Sequence, residues 1–204
     1  MPDQHRAKTG KEAGIDLGLK TIATLSDSTE LNRENLTKTH EIKLAMAQRA
    51  NKKKLTTAIH AKIKNKRKDW THKQTTRLVK EYDLIGVGDV SPSKLKKTRM
   101  AKSVSDAGWS SFRTMLAYKA VMLGVEMIAV KENFSTVTCS VCKGRTGPKG
   151  LSGLGVREWM CSECGAVHKR DVNSARSILF SAQDIVRRRE SPCFQHGEDV
   201  KILT

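Results

Sequence analysis

No apolar run in this 204-residue chain is long enough to cross a bilayer, and the polar N-terminus contains no apolar core of a signal peptide. We therefore expect an intracellular protein. Hydrophobic residues are somewhat scarce, at 38% against 29% charged residues, so a modest core in one or two small domains is expected. The chain shows no internal repeat.

Acidic residues are few relative to basic ones. The chain has 21 Asp and Glu against 38 Lys and Arg, which gives a formal net charge of +17 and a pI near 9.9. Such an excess predicts a polyanionic partner, most often nucleic acid. A ribosomal-type protein, or a merely soluble basic protein, is the alternative.

Proline and glycine are absent from about residue 38 to residue 80. Apolar residues recur there at helical spacing, which predicts two basic helices in a hairpin that turns near Asn51. The basic face could simply be solvated, but its density of Lys and Arg favours a phosphate-facing surface. The candidate nucleic-acid contacts are Lys52, Lys53, Lys54, Lys64, Arg67 and Lys68.

Strand patterns surround this basic segment. Alternating apolar residues predict a β-hairpin at 12–17 and 20–25, and a buried strand at 83–90. An amphipathic helix that ends at Gly124 comes next, followed by a strand in "VEMIAVKE". This order predicts a mixed sheet with helices packed on it, which is an α/β fold.

The cysteines are spaced as metal ligands rather than as a disulfide framework. Two Cys-x-x-Cys pairs, separated by eighteen residues, predict a structural zinc site, because four thiolates leave no position for a substrate. The predicted ligands are Cys139, Cys142, Cys161 and Cys164. Four unrelated free thiols are the alternative. Cys193 stands apart as a free thiol, and His168 is expected to be a polar surface residue.

Asp16 lies between Ile15 and Leu17 on the first predicted strand, so it should face away from them. A buried acid on a central strand is costly unless it binds a cation. A surface-strand aspartate would need no such role, and the pattern alone leaves both interpretations open.

Four segments, in order, resemble the OrfB/TnpB family of insertion-sequence proteins, which are often labelled transposases and are similar to type V CRISPR effector nucleases. They are "GIDLGLKTIATLSD", "KIKNKRKDWTHKQTTRLVKEYDLIGVGDV", "TCSVCKGRTG" and "WMCSECGAVHKRDVNSAR", and the resemblance spans roughly residues 12–180. It implies an RNase H-like (RuvC-like) mixed sheet with an inserted helical hairpin and a four-cysteine zinc ribbon. It also implies a magnesium-dependent, RNA-guided DNA endonuclease encoded by a mobile element.

The resemblance also assigns catalytic acids. Asp16 matches the first acid of the family and Asp171, in "RDVNSA", matches the last. Gly88 stands where the family has its middle glutamate, and Asp89 should project to the other face. Glu132 ends the next strand, so its carboxylate could enter the space that Gly88 leaves empty.

The expected chemistry explains these residue types. Two Mg²⁺ ions ~3.5–4 Å apart, held by carboxylates, would clamp the attacking water and the leaving oxygen during phosphodiester hydrolysis. Asp171 follows the last cysteine closely, so a zinc-bound loop would deliver the last acid. Arg170, beside Asp171, is a further candidate contact to nucleic-acid phosphate.

The implied partners are DNA and a guide RNA, with no membrane, in the cytoplasm of a prokaryote near its nucleoid. Family members carry a long segment before the first acid, so the resemblance implies an N-terminally truncated chain. A nuclease-inactive nucleic-acid-binding remnant, or a repressor-like derivative, is the alternative function, and the Gly88/Glu132 pair separates the two. A zinc-ribbon RNA-binding module unrelated to mobile elements is the third, and nothing indicates strand transfer.

The resulting domain prediction combines the patterns and the resemblance. It comprises disordered residues 1–11, a RuvC-like nuclease domain at 12–135 with a basic helical insertion at about 38–80, a zinc ribbon at 136–167, the last helix of the nuclease domain at 168–190 and a flexible tail at 191–204.

Overall fold

The structure is a computed structural model that describes residues 6–89, 101–149 and 152–190. The predicted flexible tail, which contains Cys193, and the first five residues of the predicted disordered N-terminus lie outside the described residues. Within the described ranges, every helix is too short or too polar to cross a membrane.

A five-stranded mixed sheet forms the centre, in the order β3-β2-β1-β4-β5. Its strands are β1 (Glu12–Leu17), β2 (Ala23–Leu25), β3 (Glu30–Leu31), β4 (Leu84–Gly88) and β5 (Glu126–Val130). Strands β1, β2 and β3 are antiparallel neighbours, whereas β4 runs parallel to both β1 and β5. The predicted mixed sheet is confirmed, although the second strand begins at Ala23 rather than at residue 20.

The described part of the chain contains six helices besides the sheet. They are α1 (Leu36–Thr39), α2 (Glu41–Arg49), α3 (Lys53–Glu81), α4 (Ala101–Ala107), α5 (Trp109–Leu123) and α6 (Arg170–Glu190). Helices α2 and α3 meet at Asn51, whose φ of 47° places it in the left-handed region that asparagine tolerates. Gly124 ends α5 with a φ of 64°, the usual helix-terminating conformation. Both turns lie where the sequence predicts them.

Helices α3 and α5 cover one face of the sheet. The core between them and the strands contains the fully buried side chains of Ile15, Val87, Leu78 and Phe112, among others. The Lys119 ammonium of α5 donates to His72 O, Thr75 Oγ1 and Thr76 Oγ1, each at 2.7 Å, and so ties α5 to α3.

Helix α6 covers the opposite face and lies unusually close to it. A Cβ on Gly14 of β1 would stand 2.0 Å from Ala175 O, and one on Gly86 of β4 would stand 2.8 Å from Ala182 Cβ. Only glycine at these positions lets the helix backbone rest directly on the strands. The face of β1 that carries Gly14 also carries Asp16, since side chains alternate along a strand. The close packing therefore sets how deeply α6 reaches toward Asp16.

The cysteine-containing segment connects β5 to α6. It contains a 3₁₀ helix (Ser152–Gly155) and two antiparallel strands, β6 (Glu158–Met160) and β7 (Val167–Lys169). Helix α6 begins at Arg170, immediately after β7 ends at Lys169. The position of the small sheet and the start of α6 are therefore coupled without a linker.

Candidate functional site

Asp16 points toward α6, on the face of β1 opposite the buried Ile15 and Leu17, as the alternation predicts. Ser174 of α6 donates a hydrogen bond from its hydroxyl to Asp16 Oδ1 at 3.2 Å. The hydroxyls of Ser174 and Ser135 lie 3.0 Å apart, and both side chains are buried. This chain of hydroxyls fixes the orientation of the Asp16 carboxylate.

The carboxylate of Glu132 occupies the space above Gly88. A Cβ built on Gly88 would stand 1.7 Å from Glu132 Oε1 and 2.6 Å from its Cδ, so any side chain at position 88 would displace Glu132. Glu132 lies two residues beyond Val130, the last residue of β5, rather than on the strand itself. Gly88 and Val130 are paired in the parallel β4–β5 register, which brings the two strand ends together.

The Glu132 carboxylate lies in an environment that leaves one of its oxygens without a hydrogen bond. Its Oε1 is buried and has no hydrogen-bond partner among the described residues. Burial first, and then the charges of Asp16 and Asp89, raise the pKa of Glu132 to about 7, while Arg113 opposes the shift. Buried polar atoms are normally paired, so an orphaned carboxylate oxygen suits a ligand for a cation.

Asp89 affects Glu132 through its charge, but its carboxylate is paired elsewhere. Its carboxylate is half exposed and pairs with Arg113 of α5 at 2.7 Å. The carboxylate of Asp89 therefore lies toward α5 rather than in the space above Gly88, as the alternation along the strand predicts.

Asp171 lies in the first turn of α6, half exposed, with Arg157 Nη1 3.5 Å from its Oδ2. Its charge acts on Asp16: burial first, and then Asp171, raise the pKa of Asp16 to about 6, while Ser174 and Arg170 oppose the shift. Asp16 thus interacts electrostatically with both Glu132 and Asp171. The three acids nevertheless do not form a single-ion cage, since only the four cysteines do so among the described residues.

The raised pKa values of Asp16 and Glu132 predict a stability change with pH. The folded protein binds these two protons more tightly than the unfolded chain does, so stability falls as pH rises from about 4 to about 7. We expect Asp16→Asn, which keeps an acceptor for Ser174, to stabilise the magnesium-free protein at pH 8 by about 1–3 kcal/mol. Urea unfolding of both proteins at several pH values measures this.

The advantage of the Asp16→Asn variant should shrink toward zero as the pH falls below the ordinary aspartate pKa of 3.8, because Asp16 is then protonated in both the folded and the unfolded state. Asp184→Asn is the matched control, because Asp184 is an exposed acid of α6 whose partner is Arg188. A variant that is less stable than the wild type at pH 8 would contradict the assigned burial of charge.

Asn173 fastens the start of α6 to the loop that carries the first cysteine pair. Its Nδ2 donates to Thr138 O at 2.8 Å and to Ser135 O at 3.4 Å, and its Oδ1 accepts from Ser140 N at 2.8 Å. The side chain is almost completely buried. Asn173 therefore links the position of Asp171 to the position of the cysteine loop.

The four predicted zinc ligands come together. Their Sγ atoms all lie within 4.8 Å of one another, with 3.7 Å between Cys139 and Cys164 and 3.6 Å between Cys142 and Cys161. A tetrahedral ion with Zn–S bonds of ~2.3 Å requires sulfur atoms about 3.8 Å apart. The Thr146 hydroxyl donates to Cys161 Sγ at 3.1 Å and lowers the pKa of that thiol, which favours the thiolate. The donor set fits zinc.

His168 is not a surface residue, and that prediction was wrong. Its side chain is buried, its Nε2 lies 3.0 Å from Cys139 Sγ, and its ring packs on Trp159 with the centroids 4.7 Å apart. His168 and Trp159 are cross-strand partners on the inner face of β6 and β7. Its neighbours Val167 and Lys169 are exposed, and because Val167 is apolar, the local sequence contains no alternation that could have shown the burial of His168.

The predicted nucleic-acid contacts fall into two groups. Exposed lysines lie at the start of α3 and along it: Lys52, Lys53, Lys54, Lys64 and Lys68. Arg67 differs, because its guanidinium pairs with the buried carboxylate of Asp106, which also accepts from Thr37 Oγ1 at 2.8 Å. The Arg67 side chain thus makes an ion pair within the fold, unlike the exposed lysines. Arg170 is partly buried and donates from Nη1 to Gly153 O at 3.0 Å, which braces the 3₁₀ helix.

Sequence reasoning gave no role to Ser135, Asn173 or Ser174. Asn173 and Ser174 lie in the quoted motif "RDVNSA", but their partners are supplied by tertiary contacts. For Asn173 and Ser174, the local signal is a pair of polar residues two and three positions after a candidate acid.

Two family models match the chain. Residues 1–99 match one described as "Probable transposase" (OrfB_IS605), and residues 109–178 match one described as "Cas12f1-like, TNB domain". A relative from Streptomyces pristinaespiralis, named "Putative RNA-guided DNA endonuclease", is 37% identical over 185 residues, which cover 84% of this chain and 45% of the relative. The "Putative RNA-guided DNA endonuclease InsQ" of Escherichia coli K12 is 28% identical over 201 residues, which cover 85% of this chain and 49% of that protein.

Solved structures give a matching architecture. A cryo-EM structure of a Cas12f1–sgRNA–target DNA complex superposes with a TM-score of 0.64 at 16% identity, and the match covers 85% of this chain and 50% of that one. At this identity the likeness shows the fold alone. The chain spans about half the length of these two relatives, at 45% and 49%.

Proposed function

Because the chain belongs to the OrfB/TnpB family of insertion-sequence proteins, we propose that it carries the catalytic centre of an RNA-guided DNA endonuclease. The proposed reaction is magnesium-dependent hydrolysis of DNA phosphodiester bonds by a RuvC-like, RNase H-like domain. Asp16, Glu132 and Asp171 are the proposed metal-binding acids.

A single observation carries the proposal: the Glu132 carboxylate lies in the space of the missing side chain at Gly88, with one buried oxygen unpaired. A family nuclease that lost its middle glutamate would have no reason to keep a costly, unsatisfied carboxylate at that place. A second acid, Asp16, interacts electrostatically with it across the parallel strands. Both features support a relocated middle ligand rather than a lost one.

The acids differ in what they can contribute. Asp16 is oriented by Ser174 and is suited to hold a cation in a fixed position. Asp171 is half exposed at the start of α6, so its carboxylate is accessible to a ligand from solvent. When bound, magnesium would activate the attacking water and neutralise charge on the leaving oxygen. Arg157, which pairs with Asp171, limits the repulsion between that acid and the incoming phosphate.

We propose that Cys139, Cys142, Cys161 and Cys164 hold zinc in a ribbon that acts structurally. The sulfur distances support this assignment, and a four-sulfur site leaves no open position for catalysis. Helix α6 follows the ribbon directly and is fastened to it by Asn173. The ribbon thereby positions Asp171.

The exposed lysines of the α2–α3 hairpin are proposed to contact the phosphates of DNA and of a guide RNA. The net charge of +17 supports such contacts, which need no reading of base sequence. We propose RNA guidance because two relatives are named RNA-guided DNA endonucleases. This chain spans about half the length of each of them.

The test is cleavage of labelled single- and double-stranded DNA by the purified chain, with and without co-purified RNA, in magnesium and in its absence. We expect magnesium-dependent cleavage, and a loss of about 10³-fold or more in Asp16→Asn, because a ligand of the reacting centre is removed. Asp184→Asn should cleave like the wild type. A wild type that binds DNA but never cleaves it would overturn the proposal in favour of a nuclease-inactive binding protein.

A further inference from the structure

A cavity of about 240 Å³ lies between α6 and the loop that follows β5. Its lining includes Lys131, Asn133, Lys143, Ser177, Phe180 and Ser181. This volume is somewhat below the range of roughly 300–1,000 Å³ that is typical for complete small-molecule ligands. The cavity therefore suits one small unit of a larger ligand.

The cavity adjoins the proposed catalytic acids. Lys131 and Asn133 flank Glu132 in the chain, and both line the cavity. Ser135 lines it as well, and the Ser135 hydroxyl contacts Ser174, which in turn donates to Asp16. A polymer bound at the acids would pass this cavity.

Phe180 provides an exposed aromatic surface at the cavity. Only 4% of the chain is aromatic, yet this ring is 44% exposed. Lys143 Nζ lies 3.7 Å from the ring centroid and donates to Ser140 O at 3.0 Å. The ring is thus held by a cation that is itself anchored to the cysteine loop.

A second aromatic ring with a neighbouring cation lies in the loop that follows β5. Phe134, two residues after Glu132, is 57% exposed, and the Arg145 guanidinium stands 4.4 Å from its ring centroid. Phe134 has a φ of 62°, which is rare for a bulky residue and costs free energy. Keeping a strained aromatic residue in contact with solvent indicates a surface that meets a flat ligand.

We propose that this cavity binds one unstacked nucleotide of the single DNA strand that is cut, with its base stacked on Phe180 and its phosphate contacted by Lys131. Nucleobases stack on aromatic rings without regard to sequence, and lysines follow the backbone. Since the cavity has room for a single small unit, the adjoining strand must be unpaired at this point. The inference rests on the proposed function, because the bound strand is the one presented to the acids.

Binding of short oligonucleotides tests this subsite without any cleavage. Two fluorescent probes are used, a thymidine pentanucleotide and its fully abasic analogue. Their affinities for the wild-type chain are measured by fluorescence anisotropy in magnesium-free buffer. We expect Phe180→Ala to bind the pentanucleotide about tenfold more weakly, and to lose the preference for bases over abasic sites. Phe180→Leu, which keeps an apolar side chain for packing, should behave alike if the alanine variant folds poorly.

Tyr118→Ala is the matched control. Tyr118 is 42% exposed and also has a lysine near its ring, with Lys119 Nζ at 6.0 Å, but it lies on α5. This variant should bind like the wild type. Lys131→Gln should reduce the dependence of log affinity on log salt by about 0.7, whereas the Phe180 variants should leave that slope unchanged.

The outcomes separate this inference from the proposed function. Folded Phe180 variants that bind the pentanucleotide as tightly as the wild type overturn the subsite, even where magnesium-dependent cleavage occurs. A selective loss of base preference in the Phe180 variants supports the subsite, even where the wild type fails to cleave. An equal loss in Tyr118→Ala overturns it, because binding would then follow exposed aromatic area in general.

Discussion

Replacing Glu132 by glutamine is expected to reduce DNA cleavage by about 10³-fold or more, and replacing Gly88 by alanine is expected to reduce it comparably. The first change removes the proposed ligand charge. The second leaves Glu132 intact but puts a Cβ 1.7 Å from the present position of its Oε1, so the carboxylate must leave. Cleavage rates at saturating magnesium measure both, together with the magnesium concentration for half-maximal rate.

An exchange of the two positions sharpens this expectation. Gly88→Glu alone should be inactive, because two glutamates compete for one space. Gly88→Glu combined with Glu132→Gly frees that space and returns the acid to the position that the family uses, so part of the activity should reappear. Gly155→Ala is the control for a glycine substitution, since a Cβ there meets no atom within 4 Å. Full activity in Glu132→Gln would assign the middle ligand to another residue.

Removal of zinc is expected to abolish cleavage, although none of the four described cysteines forms a hydrogen bond to the proposed catalytic acids. The Asn173 side chain bonds to residues 135, 138 and 140 of the cysteine loop, and β7 continues directly into α6. Loss of the metal would let the sulfur atoms take up protons and move apart, so the start of α6 and Asp171 would lose their fixed position. We expect a loss of about 10³-fold or more, measured in excess magnesium after treatment with a zinc-selective chelator.

Readdition of zinc should restore the activity, and Cys161→Ser should reproduce the loss without a chelator. Hydrogen exchange should show increased opening at the start of α6 while the strands of the central sheet stay protected. Cys193→Ser is the control, because Cys193 stands apart in the sequence from the two Cys-x-x-Cys pairs. A zinc-free protein that still cleaves at the wild-type rate would refute the coupling between the ribbon and Asp171.

Local pattern was sufficient for the features that depend on local geometry. Alternation on β1 gave the face of Asp16, and the uninterrupted helical pattern gave the two helices that meet at Asn51. The cysteine spacing gave the four-sulfur cluster. In each case the determining interaction lies within one element or one short motif, which is what periodicity can report.

The remaining features depend on contacts between distant parts of the chain. Ser174 meets Asp16 across 158 residues, and Arg67 meets Asp106 across 39, so neither partner is visible in local pattern. The local pattern therefore groups Arg67 with its exposed neighbours as a candidate contact to nucleic acid. The sequence predicts Glu132 at the end of a strand. In the structure this strand ends at Val130, and the following turn directs the Glu132 side chain over Gly88.

The contact of α6 with Gly14 and Gly86 has a mechanical consequence for the acids. Where side chains separate a helix from a sheet, the gap can be widened or narrowed by exchanging one apolar residue for another. Here the gap is a hard stop set by the radii of backbone atoms, which barely compress. Substitutions elsewhere on the helix should therefore leave the distance between Ser174 and Asp16 unchanged. The outer surface of the helix can vary in sequence without moving the acid that Ser174 orients.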